Sequence, residues 1–229
     1  MPQVAAAVMA AGLMNMVDGG LARAAPEQWT GFVRVDSATV YDTPGGISVG
    51  TFAKDTPIAV TSWVSGPPMT PDNFTWASIG DHRFVHSSVL RHSPLSDVPE
   101  ASTRTPRTEH WADADLTQQT LTLYDQDRPV RRSLMNSGRP GVDTTTHEGV
   151  WPVASRVPNE TMRGDGYDVS GVLFTQYFTP DAEAIHLNYW LTDEERGIPR
   201  SHGCIGLAYA DAEFAWRFLD VGAMVSVHT

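Results

Sequence analysis

Ile185-His186-Leu187 and, after an intervening loop, Pro199-Arg200-Ser201-His202-Gly203-Cys204-Ile205 carry the reading of this chain. Cys204 is the sole cysteine, so it has no partner for an internal disulfide. Its thiol is then either a small buried hydrophobe or a reactive group. A reactive thiol needs its proton removed, because the thiolate is the nucleophile and a free cysteine titrates at about 8.5. A neighbouring imidazole does this, and two are offered. His202 lies two residues before Cys204 and shares a face with it if the segment is extended. His186 lies further upstream and reaches the thiol only if the loop folds back. Spacing alone does not choose between them. Gly203, next to the thiol, leaves room for a substrate and for backbone N–H groups that can stabilise an oxyanion.

Outward from this motif, the 229 residues suffice for one large domain or two small ones. Hydrophobic residues at 41% and charged residues at 19% are ordinary for a soluble globular protein, and the scattered 19 Gly and 16 Pro favour many turns and a mainly β fold. A net charge of −11 repels phosphates and makes the chain a poor candidate for backbone recognition, so no nucleic-acid partner is expected. Residues 1–28 read as a leader. Val4 to Val17 is apolar and Ala22-Arg23-Ala24 fits a small-x-small exit, although Met1-Pro2-Gln3 lacks the basic start of an export signal. Such a leader predicts an extracytoplasmic location, in the periplasm or cell wall.

Residues 29–91 read as closely spaced short strands, including Phe32–Val35, Ala38–Tyr41, Val49–Phe52 and Pro57–Thr61. A hairpin from Trp76–Ile79 to Arg83–His86 crosses Gly80-Asp81-His82, and the whole fits a small closed barrel. Residues 92–108, with Pro94, Pro99 and Pro106 and no apolar periodicity, read as a linker. From 109 to 229 strand character returns at Trp111–Asp115, Thr120–Tyr124 and Pro129–Leu134. One short helix is expected over Ala210–Leu219.

Two resemblances follow from these residues. The 29–91 segment resembles the bacterial SH3-like barrels that accompany cell-wall enzymes, through Ala38-Thr39-Val40, Val49-Gly50-Thr51, Trp76 and Phe84–Leu90. A contact with the wall through this barrel would follow. The motif His186…Ser201-His202-Gly203-Cys204 resembles the signature of the YkuD-type L,D-transpeptidase family. So do Trp111–Leu134, Ser137–Gly141 with Thr146 and Gly149, and Thr161-Met162-Arg163-Gly164 with Tyr167-Asp168. The resemblance implies a β-rich, YkuD-like sandwich with Cys204 as nucleophile, His186 as base and the Leu187 carbonyl orienting the imidazole. It further implies that His202 shapes the site, Gly203 contributes to the oxyanion hole, and Ser201, Tyr167, Trp190 and Met162 contact substrate. The implied partners are peptidoglycan stem peptides, and the implied reaction is a 3→3 crosslink through a thioester, with no cofactor or metal.

Three positions depart from the family pattern. Gly206 replaces an Asn or Arg, so a polar contact is expected to be lost or supplied from elsewhere; His147 replaces a Pro, which predicts a looser turn; Leu187 replaces a Gly, which predicts altered access. The competing readings are an L,D-carboxypeptidase using the same acyl-enzyme, and a catalytically silent wall-binding protein. A zinc site from His186, His202 and Cys204 lacks a fourth ligand at a recognised spacing. A papain-like order is disfavoured because both histidines precede the cysteine. His186 itself, between Ile185 and Leu187, also sits where a core histidine would.

Overall fold

Alternation of buried and exposed side chains builds the first half of the molecule. In the computed structural model, which describes residues 28–95, 108–141, 143–164 and 166–229, strand β1 (Trp29–Val33) buries every second side chain. The leader and most of the linker read from the sequence lie outside the described residues. The further strands of this half are β2 (Ser37–Tyr41), β3 (Ser48–Ala53), β4 (Pro57–Val60), β5 (Ser62–Thr70), β6 (Asn73–Ser78), β7 (Phe84–His86) and β8 (Leu90–His92). They form a three-stranded sheet, order β4-β1-β8, and a five-stranded sheet, order β3-β2-β7-β6-β5. The expected hairpin across Gly80-Asp81-His82 is the β6–β7 pair. Strand β5 was not anticipated, because Gly66-Pro67-Pro68 argues against a strand. There the ladder with β6 breaks between Ser65 and Thr70, as proline's missing N–H requires. The indole of Trp76 donates to the Pro67 carbonyl at 2.9 Å across this gap.

The second half comprises β9 (His110–Asp115), β10 (Thr120–Asp125), β11 (Arg128–Leu134), β12 (Gly149–Pro152), β13 (Ser155–Gly164), β14 (Tyr167–Tyr177), β15 (Ala184–Leu187), β16 (Ile205–Leu207), helix α1 (Tyr209–Phe218) and β17 (Met224–His228). One sheet runs β11-β10-β9-β17-β12 and the other β13-β14-β15-β16. Leu121, Leu123 and Val225 of the first sheet share one core with Ile185, Ile205 and Leu207 of the second, together with Ala212, Ala215 and Leu219 of the helix side. The mainly β architecture is the one expected.

The two halves meet through a strap, residues 194–200, which belongs in sequence to the second half. Ile198, 2% exposed, inserts into the core of the first half beside Trp29, Val33, Val60 and Leu90. The Trp29 indole donates to the Gly197 carbonyl at 2.5 Å and the Thr75 hydroxyl to the Pro199 carbonyl at 2.7 Å. On its other side the strap is held by the second half. The Gly197 N–H donates to the Met135 carbonyl at 3.0 Å and the Asn136 side chain to the Ile198 carbonyl at 2.8 Å. Polar backbone that would otherwise be buried unpaired is thus satisfied from both sides.

Candidate functional site

The strap leads directly into Ser201-His202-Gly203-Cys204, and the sheet then decides which histidine meets the thiol. Strands β15 and β16 pair in parallel, with His186 opposite Gly206. Because side chains alternate along a strand, Cys204 and Gly206 share the face of His186. His186 and Cys204, far apart in the chain, therefore line the same cleft of about 490 Å³. Of the other residues picked from the sequence, His202, Ser201, Tyr167, Trp190 and Met162 line the cleft, while Gly203 is buried.

Their individual settings differ. His186 is 4% exposed, and its Nδ1 lies 2.8 Å from the Leu187 carbonyl. A carbonyl only accepts, so Nδ1 carries the proton and Nε2 presents a lone pair. Burial holds the imidazole below its ordinary pKa, with the Leu187 hydrogen bond opposing, so it rests neutral. Trp190 stacks on this ring at 5.8 Å. Cys204 keeps a partly exposed edge, yet protein packed around its sulfur pushes the thiol up to about 11. A backbone hydrogen bond from Ala184 opposes the rise, and the carboxylates of Glu183 and Glu160 reinforce it. His202 is exposed and stacks against Tyr167 at 4.9 Å, so it forms cleft wall.

The turn before the thiol is rigid. Ser201 Oγ donates to the Cys204 carbonyl at 2.6 Å and accepts from the Gly203 N–H at 3.1 Å. The amide that the resemblance assigns to an oxyanion hole is therefore already donating to Ser201. Gly203 sits at φ +127°, and a Cβ there would come within 2.9 Å of Glu183 Oε1. Both facts require glycine.

The three departures acquire physical accounts. At Gly206 an added Cβ would lie 2.8 Å from Asn188 Nδ2 and 2.9 Å from Asn188 Cβ. The polar group expected at 206 is thus displaced by one on the neighbouring strand's extension, and Asn188, 3% exposed, lines the cleft. His147 does not loosen its turn. Its N–H and its Nδ1 both bond Glu183, the latter at 2.9 Å, while Thr146 Oγ1 donates to the Gly203 carbonyl at 2.7 Å. Leu187 is buried in the core rather than at the cleft.

Sequence reasoning missed the contribution of the first half. Pro71, Asp72 and Phe74, at the turn and start of β6, line the cleft together with Arg139 and Arg200. Nothing local in Pro71-Asp72-Asn73-Phe74 announces that role, whereas Arg139 stood within the Ser137–Gly141 motif already singled out. Among the described residues, the group of side chains close enough to share a metal ion is Glu109, His110 and Asp125. None of the three lines the cleft.

Residues 109–227 match the model of the YkuD family, described as the L,D-transpeptidase catalytic domain. No curated protein matches the chain. Among solved structures, an L,D-transpeptidase from Mycobacterium smegmatis is similar at 19% identity and TM-score 0.49, covering 67% of this chain and 76% of that one. L,D-transpeptidase 3 from Mycobacterium tuberculosis is similar at 22% identity and TM-score 0.48, covering 64% and 74%. A further L,D-transpeptidase from Mycobacterium tuberculosis H37Rv has 19% identity and TM-score 0.49, covering 86% and 80%.

Proposed function

The chain belongs to the YkuD family of L,D-transpeptidase catalytic domains, and from that premise we propose that it crosslinks peptidoglycan stem peptides through a thioester on Cys204. The observation that carries the reading is the parallel β15–β16 register, which brings a neutral imidazole and the chain's one thiol into a shared cleft. Nε2 of His186 takes the thiol proton as Cys204 Sγ attacks the carbonyl of the third residue of a tetrapeptide stem. The tetrahedral intermediate collapses as its C–N bond breaks, and the imidazolium returns the proton to the departing D-Ala amine. A side-chain amine of a second stem then attacks the thioester carbonyl, forming the 3→3 amide and restoring the thiol. Stacking by Trp190 limits how the His186 ring can turn, which favours proton delivery along one direction.

The first half, which resembles an SH3-like barrel, supplies a cleft wall and the seat of the strap in this reading. On the same reading the protein meets its wall-polymer substrate outside the cytoplasm, the location that the expected leader also implies.

The test is mass spectrometry of protein incubated with a disaccharide-tetrapeptide. An adduct on Cys204 with a crosslinked dimer supports the transpeptidase, and an adduct with only the trimmed tripeptide indicates hydrolysis. Full crosslinking by Cys204→Ala would overturn the mechanism.

A further inference from the structure

We infer that Arg139 and Phe74, one from each half of the molecule, form a clamp that binds a free carboxylate of the stem peptide at the cleft; this rests on the transpeptidase reading above. Arg139 follows β11, and its backbone is fixed beside the nucleophile turn. Its N–H donates to the Ser201 carbonyl at 2.9 Å, and its carbonyl accepts from Thr144 Oγ1 at 3.0 Å. The guanidinium lies over the Phe74 ring, 4.9 Å from its centroid. Both residues line the cleft.

Arg132 and Arg139 are the described arginines without a carboxylate pair, and of the two only Arg139 lines the cleft. The other cleft arginine, Arg200, is paired with Glu195 at 2.8 Å. Elsewhere Arg131 holds Asp211 at 2.7 Å and Arg156 holds Asp220 at 2.9 Å. Among the described residues, Arg139 makes no carboxylate pair, neither with Asp72, which lines the same cleft, nor with any other. A half-buried cation kept on an aromatic face, unpaired in a chain of net charge −11, is suited to an incoming anion. A cation–π contact consumes no N–H donor, so the guanidinium keeps its N–H groups for the two parallel hydrogen bonds that a carboxylate accepts. Phe74 is brought to the cleft by β6 of the first half, whose next residue, Thr75, fixes that strand to the strap by donating to the Pro199 carbonyl. Loss of the ring would leave the arginine free to swing.

The test measures acylation of Cys204 by the free-acid tetrapeptide and by analogues amidated at one carboxylate at a time. The wild type is expected to lose about tenfold in kcat/KM, mainly through KM, when the clamped carboxylate is amidated. Arg139→Gln should acylate the free-acid stem about tenfold more slowly and treat acid and amide alike, Arg139→Lys should keep part of the preference, and Phe74→Ala should weaken it. Iodoacetamide alkylation and thermal unfolding of each variant establish that the thiol and the fold persist. A wild type indifferent to amidation at every carboxylate, or an Arg139→Gln protein that keeps the full preference, overturns the clamp alone. A wild type acylated by no stem overturns the transpeptidase reading and the clamp with it.

Discussion

The resting protonation state of Cys204 can be measured without any substrate. Burial of the thiol, reinforced by the charges of Glu183 and Glu160, raises its pKa to about 11, against about 8.5 to 9 for an exposed thiol. His186, the group that would hold the displaced proton, is pushed down by its own burial. Both shifts disfavour a preformed thiolate–imidazolium pair. Two pKa units mean about a hundredfold less thiolate at any pH well below both values, so near pH 7.5 only about one molecule in three thousand is thiolate. Alkylation by iodoacetamide, followed by protein mass from about pH 6 to about pH 11, should therefore climb tenfold per pH unit and level off only near the top. Glu160→Gln, which removes one of the opposing charges, should move the whole curve to lower pH. A rate already level by about pH 7 would show a stabilised ion pair. It would refute the reasoning that proton transfer waits for substrate.

Ile198→Ala should destabilise the protein by about 2–5 kcal/mol and Ile198→Val by about 0.5–1.5 kcal/mol in denaturant unfolding, and the former should also slow acylation because the strap loses its anchor. Gly206→Ala drives a Cβ into both the amide and the Cβ of Asn188 and should cost about 1–3 kcal/mol, part of it recovered in the Asn188→Gly/Gly206→Ala double variant, which removes both of those atoms. Gly203→Ala meets both the positive φ and Glu183, so it should abolish acylation while the protein still unfolds cooperatively. His86 and His92 are held below 6.5 chiefly by burial. The unfolded chain thus takes up protons before the folded one does, and their contribution, complete above pH 6.5, is lost as pH falls below it. His92→Gln should accordingly flatten the fall in melting temperature on acidification relative to the wild type.

Where a strand has one dry face and one wet face, the sequence announces it. The alternation in Trp29–Val33 and Pro57–Val60 is plain, and so is the helical spacing of Ala212, Ala215 and Leu219. The long ribbon β13–β14 was hidden because solvent reaches much of both its faces, which leaves no period to read. In the cleft, the chemistry-bearing residues were legible because thiol, imidazole and glycine are chosen for what they do. Asn188 and Phe74 were not, and Arg139 was marked only as part of the Ser137–Gly141 motif, since their roles arise from contacts across strands and between halves. Ile198 is the sharpest example. A single isoleucine in a polar loop carries no signal, yet it fills a core built by residues far upstream.

That isoleucine also makes the two halves thermodynamically reciprocal. The strap is gripped by Trp29 and Thr75 at one end of its hydrogen-bonding and by Met135 and Asn136 at the other, and it continues without a break into the turn that presents Cys204. A ligand that prefers the first half with the strap seated will therefore favour the seated turn. By linkage, a cleft ligand that binds the seated turn better must tighten that same ligand by an equal factor. An enzyme built this way can register, at its thiol, whether the module beside it has found something to hold.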